Sequence, residues 1–256
     1  MNKSEKIAEL RHVVARYGLP DLRSPAALGH GEADAVLKGG LRPGLHEVFP
    51  ADWCAGGFAA GLAIRAAADP AKQGPLFWVR PDYEALEYGA LSATGLLEMG
   101  GDPARLLLLR APNAEGALSA AADILSCPHV GTLVLEIGGM PHCLDLIASR
   151  RLALAAAEAG LAVILLRAGA KCEPSAALTR WRVAAAPSLL GDDDWGNPRW
   201  DAELVRHRAG GLGRFLLQWD CDHGVFRDAA QPKHAPHPGA VVSVPPHRPA
   251  SSRIAI

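Results

Sequence analysis

Short, uniformly apolar segments alternate with helix-like segments through much of this chain. Apolar residues at every position, rather than at every second position, are typical of strands in a parallel sheet with both faces covered. We therefore predict a mixed α/β fold in which helices flank a mainly parallel sheet. The predicted strands span residues 46–49, 76–80, 105–110, 131–139 and 161–166. The predicted helices between them span residues 58–68, 83–100, 114–126 and 144–159.

The pattern changes after residue 180. The segments TRWRVAAA, ELVRHRA and GRFLLQWD indicate strands, and clusters of Gly, Asp and Pro separate them. Because turn residues rather than helices separate these segments, we predict antiparallel strands that extend one edge of the sheet.

The chain divides into three predicted parts. Residues 1–30 form an N-terminal helix and linker, residues 31–225 form the core domain, and residues 226–256 form a flexible Pro-rich tail. Within the first part, residues 4–17 place apolar side chains at helical spacing. Two interpretations of this helix stay open: it packs on its own domain, or it docks on a partner.

Composition excludes several classes of protein. The formal net charge is -1, so bulk charge attracts neither nucleic acid nor a membrane. The first residues lack the apolar core of a signal peptide, and the longest aliphatic runs are too short to span a bilayer. The five cysteines are scattered without a CxxC pair, which indicates neither a disulfide framework nor a zinc site. We predict a cytoplasmic protein without a bound metal.

The first predicted strand leads into a loop with two adjacent glycines, Gly56 and Gly57, and then into an alanine-rich helix. This layout is typical of a phosphate-binding loop, which needs a lysine and a Ser or Thr after its last glycine. Those two places hold Gly57 and Phe58. Asp52 would add negative charge close to the phosphates, and Trp53 and Phe58 would fill the hollow. We predict a degenerate nucleotide-binding loop that is kept for packing.

The ordered series of segments resembles a known family. LFWVRPD, DPARLLLLRAPNAEGALSAAADIL, VGTLVLEIGG and TRWRVAAA follow one another as in the core of RecA-type recombinases. The segment VRHRAGGLGRFLLQWD and the late VVSVPPHRPASS are similar to chains of the ImuA family, whose members are RecA-like accessory proteins. The resemblance covers roughly residues 35–222 and part of the tail, and it implies a RecA-like core.

The resemblance also assigns the places of a recombinase ATPase site. Pro81, with Asp82 beside it, stands where the catalytic glutamate is expected. Glu136 stands where a metal-holding aspartate is expected, and it serves either as that ligand or as a cap at the strand end. Arg167 stands at the place of the phosphate-sensing glutamine, and we expect a surface cation or a partner for Glu136. The absence of the phosphate-loop lysine, its hydroxyl and the catalytic glutamate implies no ATPase activity and no cofactor.

The segments that match the recombinase DNA loops, residues 138–143 and 168–176, are short. Several arginines around them are candidates for a contact with DNA or another anion, and Trp181 among them is a candidate for stacking on a base. The alternative is a set of solvated or salt-bridged side chains. The candidate arginines are Arg150, Arg151, Arg167, Arg180 and Arg182.

The resemblance implies a non-catalytic adaptor in damage-induced mutagenesis, the SOS response and error-prone translesion DNA synthesis. The implied partners are an ImuB-like homologue of Y-family polymerases, an error-prone C-family DNA polymerase in the same assembly, and RecA, with a weak DNA contact. Val241, Val242 and Val244 in the tail are candidates for a strand that pairs with a sheet edge of a partner. The alternatives are a divergent RecA-like ATPase or DNA-binding protein, and a SulA-related cell-division inhibitor.

Overall fold

The computed structural model describes residues 25–51, 55–68, 74–188, 196–208 and 210–229. Within these ranges the strands form a single sheet. Their bounds are β1 Gly44–Pro50, β2 Leu76–Pro81, β3 Leu106–Ala111, β4 Thr132–Glu136, β5 Ala162–Leu166, β6 Thr179–Ala186, β7 Arg199–His207, β8 Gly213–Asp220 and β9 Val225–Asp228. The strand order across the sheet is β3-β2-β4-β5-β1-β6-β7-β8-β9.

The sheet has a parallel part and an antiparallel part. Strands β1 to β5 pair in parallel, and β6 joins them parallel to β1. Strands β6 to β9 pair antiparallel, each with the next along the chain. The predicted fold class, a mainly parallel sheet flanked by helices with antiparallel strands toward the C-terminus, is confirmed.

Helix α1 precedes the sheet and was not predicted, whereas the other helices lie between the parallel strands, as predicted. Their bounds are α1 Gly31–Val36, α2 Ala55–Ala67, α3 Asp82–Glu87, α4 Ala93–Glu98, α5 Ala114–Ser126 and α6 Leu146–Glu158.

The single helix predicted over residues 83–100 is wrong, because the chain forms two short helices there. Gly89, just after α3, has a φ angle of 76°, which is a left-handed conformation that ends a helix. Ser92 then starts α4 by accepting a hydrogen bond from the backbone N–H of Gly95.

Two apolar layers cover the faces of the sheet. On one face, α2 packs on an aromatic cluster from β6 to β9 that includes Trp181, Trp219 and Phe226. On the other face, α5 and α6 cover strand residues such as Leu133 and Leu165. The parallel strands β1, β4 and β5 are buried on both sides, which explains the largely apolar sequences of β4 and β5. Strand β1 is less apolar than expected, because His46 and Glu47 are buried in it.

Several predictions fall outside the described residues. They are the N-terminal helix over residues 4–17, the contact residues Val241, Val242 and Val244, and the loop residues Asp52 and Trp53. Strand β9 begins at Val225, the residue at which the predicted core domain ends. The division into three parts stays a prediction.

Candidate functional site

A cavity of about 390 Å³ lies at the carboxyl ends of the parallel strands. Its walls include Pro50 from β1, Glu136 from β4 and Leu166 from β5. The first residues of α2, Ala55 and Gly56, form a further part of the wall. Ligands of open α/β sheets bind outside the carboxyl ends of the strands, so this cavity is the candidate functional site.

The two glycines of the predicted phosphate loop lie in the first turn of α2. Gly56 lines the cavity. Gly57 faces the core, and a Cβ atom at this position would lie 3.1 Å from Cζ2 of Trp200. Neither glycine has a positive φ angle, so neither is required by backbone conformation. Close packing against the indole explains Gly57, and Gly56 is the member of the pair that faces the cavity.

The prediction that Phe58 fills the phosphate hollow is wrong. The side chain is fully buried, and its ring centroid lies 5.9 Å from that of Trp181, 5.8 Å from that of Trp200 and 5.4 Å from that of Phe226. These rings form tilted or edge-to-face pairs in the core, an arrangement that aromatic side chains prefer. Position 58 of α2 is therefore turned toward the sheet, and a core residue occupies the place of the phosphate-loop hydroxyl.

An ion pair between Arg80 and Glu136 forms the polar wall of the cavity. Nη2 of Arg80 lies 3.2 Å from Oε1 of Glu136. The indole Nε1 of Trp78 donates to the other carboxylate oxygen at 3.1 Å. Arg80 is 2% exposed and Glu136 is 4% exposed. Both oxygens of the predicted metal-holding acid are thus bonded to neighbours within the protein.

Burial and charge act in opposite directions on this carboxyl group. Burial raises the pKa of Glu136 above its ordinary value, and the nearby charge of Glu84 raises it further. The hydrogen bond from Trp78 and the charge of Arg80 oppose this rise. The guanidinium is itself held by two backbone carbonyls, those of Gly89 and Glu84, each at 2.7 Å. The arginine is therefore fixed in place by the chain as well as by the acid.

Glu84 is a second buried acid beside this pair, and the sequence interpretation missed both Arg80 and Glu84. Helix α3 carries Glu84 inward, where Oε1 accepts a hydrogen bond from the backbone N–H of Gly138 at 2.9 Å. Asp82, the acid that the sequence placed next to the catalytic position, instead pairs with Arg110 at 2.8 Å on the surface. A charged residue near the end of an otherwise apolar strand, LFWVR, was the available signal for Arg80.

Both predictions for Arg167 are wrong. The side chain is 6% exposed, so it is not a surface cation, and it does not contact Glu136. Its Nη2 donates to the backbone carbonyl of Gly139 at 3.0 Å. Burial lowers the pKa of Arg167, and the charges of Glu47 and Glu173 oppose this effect. The guanidinium thus turns toward the loop after β4, at Gly139 and Met140, which the strand pattern alone could not indicate.

Arg180 belongs to a second internal ion pair and is not placed for a contact with DNA. Its Nε donates to Oε2 of Glu47 at 2.8 Å, and Oγ of Ser175 donates to the same oxygen at 2.9 Å. The guanidinium also lies over the ring of Phe49, 5.3 Å from the centroid. This cluster joins β1 to β6 in the interior, so the predicted anion contact is corrected to a structural one.

The remaining candidate arginines lie at two separate places. Arg182 projects from β6 and pairs with Glu203 of β7 at 2.8 Å. Arg150 and Arg151 are exposed on α6. Trp181 is fully buried, so the prediction that it stacks on a base is wrong. The five arginines thus do not form one basic surface.

The described ranges contain neither a cluster of metal ligands nor a helix that could cross a bilayer. No group of three or more His, Cys, Asp or Glu side chains is placed to hold a metal ion there. No helix in those ranges has the length and apolar character needed to cross a bilayer.

The fold and the cavity define a mixed α/β protein with a buried Arg–Glu ion pair at the carboxyl ends of its parallel strands. No family model matches the chain. Protein ImuA from two strains of Caulobacter vibrioides is 35% identical over 244 residues, which cover 85% of this chain and 88% of the relative. The chain belongs to the ImuA family.

Proposed function

We propose that this protein is a non-catalytic adaptor in damage-induced mutagenesis. Membership in the ImuA family supports a role in that process. The family resemblance further implies an assembly with an ImuB-like polymerase homologue, an error-prone C-family polymerase and RecA. In this assembly the α/β core presents binding surfaces and does not hydrolyse nucleotide.

One observation carries the non-catalytic part of the proposal. The two oxygens of Glu136 are bonded to Arg80 and Trp78 inside the protein. A magnesium ion requires oxygen ligands in near-octahedral geometry, and here it would have to displace both bonds. It would also approach the fixed positive charge of Arg80, which repels a cation in a site of low dielectric constant.

The start of α2 supports the same conclusion. A phosphate loop uses a lysine on the outer phosphates and a hydroxyl on the magnesium ion. Gly57 and Phe58 stand at those places, and both contact the aromatic core. A change that restored either catalytic group would therefore disturb the packing between α2 and the sheet.

Complementation of a deletion strain tests the adaptor role. We expect loss of the gene to abolish damage-induced mutation. At matched protein levels we expect wild type and Glu136→Gln to restore it equally, because the carboxylate has no chemical task. Glu98→Gln, which changes an exposed glutamate of α4, is the matched control. A Glu136→Gln protein present at the wild-type level that failed to restore mutation would contradict the proposal, as would a deletion strain with unchanged mutation frequency.

A second candidate is nucleotide binding without hydrolysis, and the cavity at the first turn of α2 favours it. Backbone N–H groups at a helix N-terminus attract phosphate, and Gly56 leaves the approach open, with no atom within 4 Å of a Cβ at that position. Thermal unfolding with ATP, ADP and no nucleotide separates the two functions. A midpoint that rises with nucleotide concentration supports this candidate, and an unchanged midpoint rejects it.

A further inference from the structure

Helix α6 carries large apolar side chains on the side that faces away from the sheet. Its inner side packs through the buried residues Ser149 and Leu152. On the outside, Leu146 is 53% exposed, Ile147 is 61% exposed and Leu154 is 54% exposed. Single exposed apolar residues are common on proteins, whereas several on one helix face indicate a contact surface.

The two arginines of α6 lie between these apolar side chains. Residues three, four and seven positions apart share one face of a helix, so Arg150 and Arg151 fall between Ile147 and Leu154. Ile147 and Leu154 are separated by about two turns, or ~10 Å along the axis. We call Leu146, Ile147, Arg150, Arg151 and Leu154 the α6 outer face.

The charge of the α6 outer face is not neutralised by an internal ion pair. In the described ranges, Arg150 and Arg151 form no salt bridge, whereas Arg182 and Arg214 on the antiparallel strands each pair with a carboxylate. The helix has an acid at each end: Asp145 caps the first turn by accepting from the N–H of Ala148, and Glu158 is its last residue. The middle of the face is therefore positive as well as apolar.

We propose that the α6 outer face binds an acidic, amphipathic helical segment of a protein partner. Carboxylates of such a segment complement Arg150 and Arg151, and its apolar stripe covers Ile147 and Leu154. The proposal rests on the adaptor role and adds the chemistry of the partner. A nucleic acid fits this face less well, because its phosphates would lose solvation against the aliphatic side chains. Trp181, the candidate for stacking on a base, is buried in the layer on the other face of the sheet.

A synthetic peptide tests the proposal on the full chain. The probe is a fluorescein-labelled helix of about 20 residues, with leucine on one side and glutamate on the other. A second peptide replaces each glutamate with lysine, and single-stranded oligo-dT is the nucleic-acid probe. Binding is measured by fluorescence anisotropy, and thermal unfolding confirms that each variant is folded.

The variants separate charge from apolar contact. We expect Arg150→Glu with Arg151→Glu, and separately Ile147→Ser with Leu154→Ser, each to weaken binding of the acidic peptide about tenfold. The lysine peptide should bind the charge-reversed variant and not the wild type. The matched control combines Leu97→Ser, at a residue that is 62% exposed, with Arg208→Glu, and it should bind as wild type does.

Two results would overturn the proposal. One is an acidic peptide that does not bind, or that binds regardless of the α6 variants. The other is oligo-dT binding that the arginine variants abolish and the serine variants leave unchanged, which would make the face a nucleic-acid site. Either result leaves the complementation assay unaffected, because that assay measures the adaptor role without a change in α6.

Discussion

Replacement of Arg80 by methionine tests whether the buried ion pair holds the strand ends together. The change removes the hydrogen bonds to the carbonyls of Gly89 and Glu84 and the ion pair with Glu136. Glu136 is 4% exposed, so water compensates only in part for the lost partner. Breaking one side of a buried pair costs about 3–5 kcal/mol, and we expect the free energy of unfolding to fall by that amount at neutral pH.

Urea unfolding followed by tryptophan fluorescence measures the loss, since Trp78 lies beside the pair. The control is Arg110→Met, which breaks the half-exposed pair with Asp82 and should cost less than about 1 kcal/mol. An Arg80→Met protein as stable as the Arg110→Met control would refute the reasoning.

The pH dependence of the Arg80→Met variant gives a second check. Burial already raises the pKa of Glu136, and loss of the guanidinium raises it further. The folded variant then binds a proton more tightly than the unfolded chain does. Its stability should therefore recover as the pH falls toward the ordinary pKa of glutamate and decrease again as the pH rises through the raised pKa. The Arg80→Met, Glu136→Gln double variant should lack this recovery.

Three further predictions concern residues of β1 and α2. Burial lowers the pKa of His46 to about 4 from 6.5. The free energy of unfolding should therefore be highest above pH 6.5 and fall by about 3 kcal/mol as the pH drops toward about 4. In urea unfolding, the stability of His46→Gln should depend less on pH than that of the wild type. Gly57→Leu should lower stability by about 1–3 kcal/mol through overpacking against Trp200, and an unchanged thermal midpoint would show that packing does not require this glycine. Phe58→Thr restores a hydroxyl but empties part of the core, so it should cost about 3–5 kcal/mol and, by calorimetric titration, gain no affinity for ATP.

The parallel sheet could be predicted from the sequence because burial on both faces leaves a direct compositional trace. Strands β4 and β5 read as TLVLE and AVILL, and only a doubly covered sheet accommodates such runs. The functional place of Glu136 was implied by the family resemblance, and β4 ends at this residue, three residues before the end of the predicted strand. The break between α3 and α4 was harder to predict, because it depends on a left-handed Gly89 within a segment of otherwise helical composition.

The pairing of charges in the site could be predicted only in part. Strands β2 and β4 are adjacent and parallel, with Val79 opposite Leu135. The next residues on the two strands, Arg80 and Glu136, therefore lie side by side. That adjacency is a property of the sheet order, which the sequence does not state. For Trp181 the signal was present: alternation along TRWRVAAA puts it on the face opposite to Arg180 and Arg182, and the tryptophan side is the core.

The most direct test of the central claim is magnesium-dependent ATP turnover by the purified full chain, with and without single-stranded DNA. We expect a rate no higher than that of Glu136→Gln under either condition, because both carboxylate oxygens of Glu136 are held by Arg80 and Trp78. Turnover in the wild type that disappears in a folded Glu136→Gln protein would contradict the account.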